Sequence, residues 1–172
     1  MCYRTPLDLE LPWFSYGSIR YLERALRPHH TVFEFGSGGS TLFFARRARS
    51  VVSVENNVDW HKRVSARLDQ LNLTNVDCQL HAFGDAEAPG YVQLPYFNVL
   101  GPGEFDVIIV DGFCGYAGGR YGKLRIHTFS QACAAVRRPG GMVILDDFWM
   151  FPEAVDLAGG VHPHIFQSVG PS

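Results

Sequence analysis

The chain of 172 residues has few cysteines, and they stand far apart. Its four cysteines, at positions 2, 78, 114 and 133, form neither a CxxC pair nor a close cluster. The chain therefore lacks the spacings typical of disulfide frameworks and of zinc sites. Reduced, structural thiols are expected, and they indicate a cytoplasmic protein.

Long apolar runs and an excess of one charge are also absent. No stretch approaches the roughly 20 apolar residues that cross a bilayer. The N-terminal segment interrupts its apolar residues with Arg4, Asp8 and Glu10, which is not the pattern of a signal peptide. With a formal net charge of −2, no general attraction to nucleic acid or to an anionic membrane is expected. A small molecule is the expected partner.

The hydrophobic pattern alternates between short apolar runs and amphipathic segments along one domain, residues 1–172. Strands are predicted at 31–35, 51–55, 76–83, 105–111, 142–148 and 164–170. Helices are predicted at 15–26, 40–48, 58–71 and 123–138, and residues 1–30 form an N-terminal helical lid segment. Strands that alternate with helices favour an α/β fold with a parallel sheet covered on both faces.

Acidic residues follow or end five of the predicted strands. They are Glu34, Glu55, Asp85, Asp111 and the pair Asp146 and Asp147. Ligands of such sheets bind beyond the carboxyl ends of the strands, near the point where the strand order reverses. These carboxylates are therefore expected around a single crevice.

The stretch "EFGSGGST" (34–41) combines a glycine-rich turn with an acid in front of it. Its glycines allow a sharp turn and a close approach to a ligand, and Glu55 lies where an acid can bind ribose hydroxyls. A dinucleotide fingerprint shares both features, but Thr41 replaces its third glycine, and Glu34 would repel a pyrophosphate. A ligand with an ammonium or sulfonium group is favoured instead, because pairing offsets the cost of desolvating a cation.

S-adenosylmethionine (SAM) has this chemistry. Glu34 and the 36–39 loop are predicted to hold its methionyl part, Glu55 its ribose and Asp85 its adenine amine. The full predicted cofactor set is Glu34, Gly36, Ser37, Gly38, Ser40, Thr41, Glu55, Asp85 and Asp111.

The chain resembles the class I SAM-dependent methyltransferases, most closely a small bacterial group with "EFGSGGST", "SVE" and "RPGG…LDD". The resemblance runs from about Pro12 to Phe148. It implies a Rossmann-like sandwich with a mostly parallel, seven-stranded sheet, SAM as the cofactor and methyl transfer to a hydroxyl, or an amine, of a small molecule. A NAD-dependent oxidoreductase and a non-catalytic SAM-fold module are the alternatives.

Asp111 ends the most apolar predicted strand and is the predicted catalytic residue. An ionised carboxylate there needs a cation, a metal or a donor nearby. Cation-dependent O-methyltransferases, which the chain resembles distantly, bind Mg²⁺ at these strand ends; this implies a site formed by Asp111, Asp146 and Asp147. Asp147 and Cys114 replace the amide and the lysine of that pattern, so direct contact of Asp111 with cofactor or acceptor is the alternative.

The segment 112–125 is predicted to bind the methyl acceptor. Its candidates are Arg120, Lys123 or Arg125 for an acidic group, and Tyr116 or Tyr121 for the pocket wall. Methyltransferases that modify amino groups of DNA or glutamine carry "DPPY" or "NPPY" after the fourth strand, where it binds a planar nitrogen. This chain has "VDGF" there, which argues against nucleic acid as the acceptor. Trp13 and Tyr16 are candidate lids, with packing of the first helix as the alternative. Trp60 is expected to be a core or surface helix tryptophan, with stacking on adenine as the alternative.

After the predicted strand at 164–170, no residues are left for the last antiparallel strand of the family's sheet. The sheet is therefore expected to lack it. An unpaired edge tends to associate with another chain, and a homodimer is expected.

Overall fold

The computed structural model of the protein describes residues 4–83, 93–112, 122–159 and 163–171. It has one parallel sheet of five strands in the order β3-β2-β1-β4-β5. The strands are β1 (Thr31–Phe35), β2 (Ser50–Glu55), β3 (Val76–Leu80), β4 (Val107–Val110) and β5 (Met142–Leu145). The strand order reverses between β1 and β4, where α/β sheets bind their ligands. The predicted α/β, Rossmann-like fold is confirmed.

Helices cover the sheet, and polar caps set where the longer ones begin. They are α1 (Pro6–Leu9), α2 (Tyr16–Ala25), α3 (Gly39–Ala45), α4 (Val58–Gln70), α5 (Gly122–Ala135) and α6 (Ala154–Leu157). Short 3₁₀ turns lie at Pro95–Phe97 and Phe148–Met150. The Ser15 side chain caps α2 and the Asn57 side chain caps α4, each accepting a backbone N–H three residues later. Among the described residues, no helix is long and apolar enough to cross a membrane.

The central strands β1 and β4 are buried on both faces, as continuous apolar runs predict. Phe33 and Phe35 pack with α5 on one side of the sheet, whereas Val32 packs with α2 and α3 on the other. Side chains alternate along a strand, so Glu34 points to the same side as Val32. This direction decides what Glu34 contacts.

The predicted strand at 164–170 is wrong, because the described residues of this segment form no strand and cross the start of α2. Tyr16 N donates to Val169 O at 2.9 Å, and Gly17 N donates to Ser168 Oγ at 3.2 Å. The Phe166 ring lies 5.4 Å from the Tyr21 ring. Polar groups of the segment are thus paired with helix N–H groups instead of a sheet edge.

Three strands also end earlier than predicted, β3 at Leu80, β4 at Val110 and β5 at Leu145. The end of β5 has a local cause, since Asp147 takes a left-handed conformation (φ 52°) at the start of a 3₁₀ turn. Within the described ranges every strand pairing is parallel. An antiparallel last strand is accordingly absent from this part of the chain.

Candidate functional site

A cavity of about 810 Å³ lies at the carboxyl edge of the sheet. Its volume falls within the roughly 300–1,000 Å³ typical of small-molecule sites. The glycine-rich turn, the acids after β4 and β5 and two tryptophans all reach it: residues 37–40, Asp111, Asp146, Asp147, Trp13 and Trp60. The structure therefore brings together much of the predicted site, at the predicted edge.

The glycine-rich turn is pressed against the end of β4. Gly36 has a left-handed backbone (φ 87°), and its N–H donates to Val54 O at 2.8 Å. A Cβ at Gly36 would lie 2.9 Å from the Gly112 Cα. Gly112 is itself packed, because a Cβ there would collide with the Tyr96 hydroxyl. Only glycine can both adopt the left-handed backbone conformation and fit the close contact with Gly112 at position 36.

Glu34 lies beneath this turn and not in the cavity wall. Its side chain is 0% exposed, and its Oε2 accepts hydrogen bonds from Thr41 Oγ1 at 2.7 Å and from Ser53 Oγ at 2.9 Å. The Thr41 oxygen in turn accepts from Gly38 N at 2.9 Å. Glu34 thus holds the turn through Thr41, a role that differs from the ligand contact predicted for it.

The position of Ser53 explains how β2 takes part in this support. In the parallel register, Ser53 stands opposite Glu34, and it is wholly buried. Each of these two apolar strands carries one buried polar residue, Glu34 on β1 and Ser53 on β2. That pairing is the sequence signal from which the contact could have been predicted.

Burial raises the pKa of Glu34 from its ordinary 4.5 to about 7. The hydroxyls of Ser40, Thr41 and Ser53 stabilise the ionised form and offset part of this effect, while the charge of Glu55 adds to it. The Glu34 carboxyl group is therefore expected to titrate near neutral pH.

Glu55 closes the turn from the β2 side and is 5% exposed. Its Oε2 accepts from the N–H and the hydroxyl of Ser37, both at 3.0 Å. Its Oε1 accepts from Asn56 N at 2.9 Å and Asn57 N at 2.8 Å. Ribose hydroxyls would have to replace the Ser37 donors to reach this carboxylate.

The two tryptophans contribute in different ways. Trp60, on α4, donates from Nε1 to Ser37 O at 2.6 Å, so it fixes the turn as well as lining the cavity; it is more than the ordinary helix residue expected. Trp13 is 67% exposed and also lines the cavity, a position compatible with the predicted lid. Tyr16, the other lid candidate, begins α2 and is not among the lining residues.

Asp111 and Asp146 follow β4 and β5, and their carboxyl groups lie close enough for each to shift the pKa of the other. Burial raises the pKa of both groups, and the proximity of Asp146 raises that of Asp111 further. Arg125 opposes the rise in both. Two carboxyl groups in contact favour holding one proton between them.

Arg125 reaches these acids from α5 and is only 5% exposed. Its Nη2 donates to Gly112 O at 2.7 Å and to Asp111 O at 3.2 Å. Its Nη1 donates to Asp147 Oδ2 at 3.1 Å. Of the three basic candidates for an acidic acceptor, Arg125 is therefore occupied, because its guanidinium is buried against the protein's own oxygens.

The predicted Mg²⁺ ligands do not form a metal site. Across residues 4–83, 93–112, 122–159 and 163–171, no group of three or more His, Cys, Asp or Glu side chains could hold a metal ion. Asp147 pairs with Arg125, while Asp111 and Asp146 contact each other. The residues present therefore do not fit Mg²⁺.

Some predicted residues cannot be placed in this site. Asp85 and the acceptor-loop candidates Tyr116, Arg120 and Tyr121 lie outside the described residues, as does Cys114. The side chain of Lys123 is not described either.

No protein-family model and no curated protein matches the chain. Solved structures do resemble it. A methyltransferase-like protein from Silicibacter pomeroyi is 20% identical with a TM-score of 0.65, over 89% of this chain and 84% of that one. An rRNA methylase from Streptococcus thermophilus is 15% identical with a TM-score of 0.53, over 99% of this chain and 94% of that one. A Streptococcus mutans protein in complex with S-adenosylhomocysteine (SAH) is 19% identical with a TM-score of 0.51, over 83% of this chain and 73% of that one.

Identities this low show a shared fold. Two longer proteins with TM-scores of 0.49 also match, and the chain spans only 52% and 43% of their lengths. The activity of the chain has to be argued from its own residues.

Proposed function

We propose that the chain is a SAM-dependent methyltransferase acting on a hydroxyl, or an amine, of a small molecule. The observation that carries the proposal is the carboxyl pair Asp111 and Asp146, which faces a cavity beside a glycine-rich turn at the point where the strand order reverses. Arg4 also lines the cavity, but the three carboxyl groups of Asp111, Asp146 and Asp147 outnumber it and can pair with a cationic nucleoside. The SAH-bound structure of a protein with the same fold supports the choice of cofactor.

The residues present fit SAM in three respects. Gly38 lines the cavity without crowding, since an added Cβ would meet the Trp60 ring only at a van der Waals distance of 3.8 Å. Asp111 and Asp146 provide the partners for the ammonium or the sulfonium. Glu55 is 5% exposed behind the turn, and it can bind ribose hydroxyls if they replace its two Ser37 donors. Glu34 takes part by holding the turn through Thr41.

When bound, SAM supplies an activated methyl group on its sulfonium. In this proposal Asp111 orients the acceptor and takes up its proton, because its side chain both lines the cavity and has a raised pKa. The cavity walls align acceptor and methyl group and exclude water. A small acceptor is favoured, since the chain has no basic excess for nucleic acid.

The start of α3 argues against a NAD-dependent oxidoreductase. A pyrophosphate binds to free N–H groups at a helix start, but Gly38 N already donates to Thr41. A Cβ at Gly39 would collide with the backbone oxygens of Pro6 and Leu11. Carbonyl oxygens packed against this end of the helix repel phosphate instead of binding it.

Titration calorimetry with SAM, SAH and NAD tests the proposal. We expect SAM and SAH to bind and NAD to give no heat. Asp111→Asn should weaken SAM binding at least tenfold by removing a negative charge from the cavity, whereas Asp156→Asn, an exposed aspartate on α6, should leave it unchanged. NAD binding without SAM binding would establish the oxidoreductase instead. Binding of neither would favour a non-catalytic module.

A further inference from the structure

The guanidinium of Arg125 occupies the centre of the acidic strand ends. It lies between the backbone after β4 and the backbone after β5, donating to Gly112 O on one side and to Asp146 O, at 3.4 Å, on the other. Its Nη2 is also 3.8 Å from the Asp111 carboxylate. The buried guanidinium thus donates hydrogen bonds to oxygen atoms at both strand ends.

These contacts correspond to what a hard divalent cation would make. Such an ion gathers carboxylate and carbonyl oxygens around a single centre. Here the oxygens of Asp111, Gly112, Asp146 and Asp147 already face a guanidinium, and a metal ion among them would lie next to a positive charge. The repulsion between these two cations disfavours a metal ion at this position.

We propose that Arg125 is a built-in cation that takes the place of a divalent metal and positions the strand ends of the site. Arg125 is a positioning residue, because it contacts Asp111 and Asp147 and does not line the cavity. The planar guanidinium suits this task better than an ammonium, since its two nitrogens can donate to two strand ends at the same time. The proposed function then requires no added metal.

The first test uses the unaltered protein and Mn²⁺, a spectroscopic substitute for Mg²⁺. We expect electron paramagnetic resonance to show no saturable Mn²⁺ site, and calorimetry to show SAH affinity unchanged by EDTA or Mg²⁺. A Mn²⁺ site that disappears in Asp111→Asn would overturn the inference.

The second test removes the guanidinium. Arg125→Met keeps most of the side-chain length without the charge, and we expect it to gain a saturable Mn²⁺ site at least tenfold tighter than any binding by the unaltered protein. Free guanidinium should compete with Mn²⁺ for that site. The matched control is Arg20→Met, because Arg20 is exposed on α2; it should gain no site.

A folded Arg125→Met protein, judged by circular dichroism, that gains no Mn²⁺ site would overturn the inference. If that variant does not fold, Arg125→Lys and the unaltered protein decide. Lysine should keep metal out but weaken SAH binding, because it cannot hold both strand ends. Metal uptake by Arg125→Lys would contradict the inference.

The inference rests on the proposed function for its relevance to catalysis. The Mn²⁺ measurements need neither SAH nor an acceptor, so the two can fail separately.

Discussion

Replacing Glu34 by glutamine should change how the stability of the protein depends on pH. Glutamine keeps the shape of the side chain and a carbonyl oxygen for the Thr41 and Ser53 hydroxyls, but it cannot ionise. The pKa of Glu34 rises from 4.5 to about 7 on folding. The native state therefore binds this proton more tightly than the unfolded chain does.

The sign follows from this difference. The native protein keeps the proton between about pH 4.5 and 7, whereas the unfolded chain releases it, so the free energy of unfolding falls as the pH rises through this interval. A difference of one pKa unit is worth about 1.4 kcal/mol, and Glu34 is wholly buried, so solvent screening does not reduce the effect. The total loss is about 3 kcal/mol, most of it between pH 5 and 8.

The assay is urea unfolding followed by tryptophan fluorescence at pH 5, 6, 7 and 8. Relative to Glu34→Gln, the unaltered protein should lose about 2–3 kcal/mol of stability across this series. Glu153→Gln is the control, because Glu153 is exposed and caps α6 without a side-chain hydrogen bond; its curve should parallel that of the unaltered protein. A constant difference between Glu34→Gln and the unaltered protein over the whole range would show that folding does not raise the pKa of Glu34.

Three further substitutions test the turn. Thr41→Val leaves Glu34 without one of its hydroxyl donors and should cost about 2 kcal/mol of unfolding free energy, measured by urea unfolding; a loss near zero would show that the hydroxyl does not hold the turn. Trp60→Phe removes the bond to Ser37 O and should cost about 1 kcal/mol, with weaker SAH binding in calorimetry; unchanged affinity would place Trp60 outside the site. Gly36→Ala combines a left-handed backbone with a close contact and should lower the melting temperature by several degrees; an unchanged melting temperature would contradict the packing described.

Much of the scaffold could be predicted because its signals are local. The run "TVFEF", the glycines after it and the acid ending "SVVSVE" lie within one strand-turn-helix-strand unit, and each element has its own periodicity. The direction of the Glu34 side chain could also have been predicted. Alternation places it on the same side as Val32, under α3, whereas its spacing before the glycines suggested a ligand contact.

The role of Arg125 could not be read from the sequence. At the start of a helix, an arginine beside a glycine-rich loop looks like a residue for solvent or for an acidic ligand. Its burial depends on how α5 packs across β4 and β5, which no local pattern records. The strand prediction for residues 164–170 is wrong for a related reason. The alternation of apolar residues suits a strand, but the segment forms its hydrogen bonds with the start of α2.

The acidic edge of the sheet is compensated in three ways, and the differences indicate where a ligand can act. Glu55 is satisfied by four hydrogen bonds. In Glu34, two hydroxyls donate to Oε2, while Oε1 is buried without a hydrogen-bond partner and the raised pKa favours the protonated form. Both lie behind the turn. At the cavity itself, burial raises the pKa of Asp111 and Asp146, which favours a proton on the pair, and Arg125 opposes this rise. A cationic ligand entering there can take the place of that proton, so charge on the ligand matters most at Asp111.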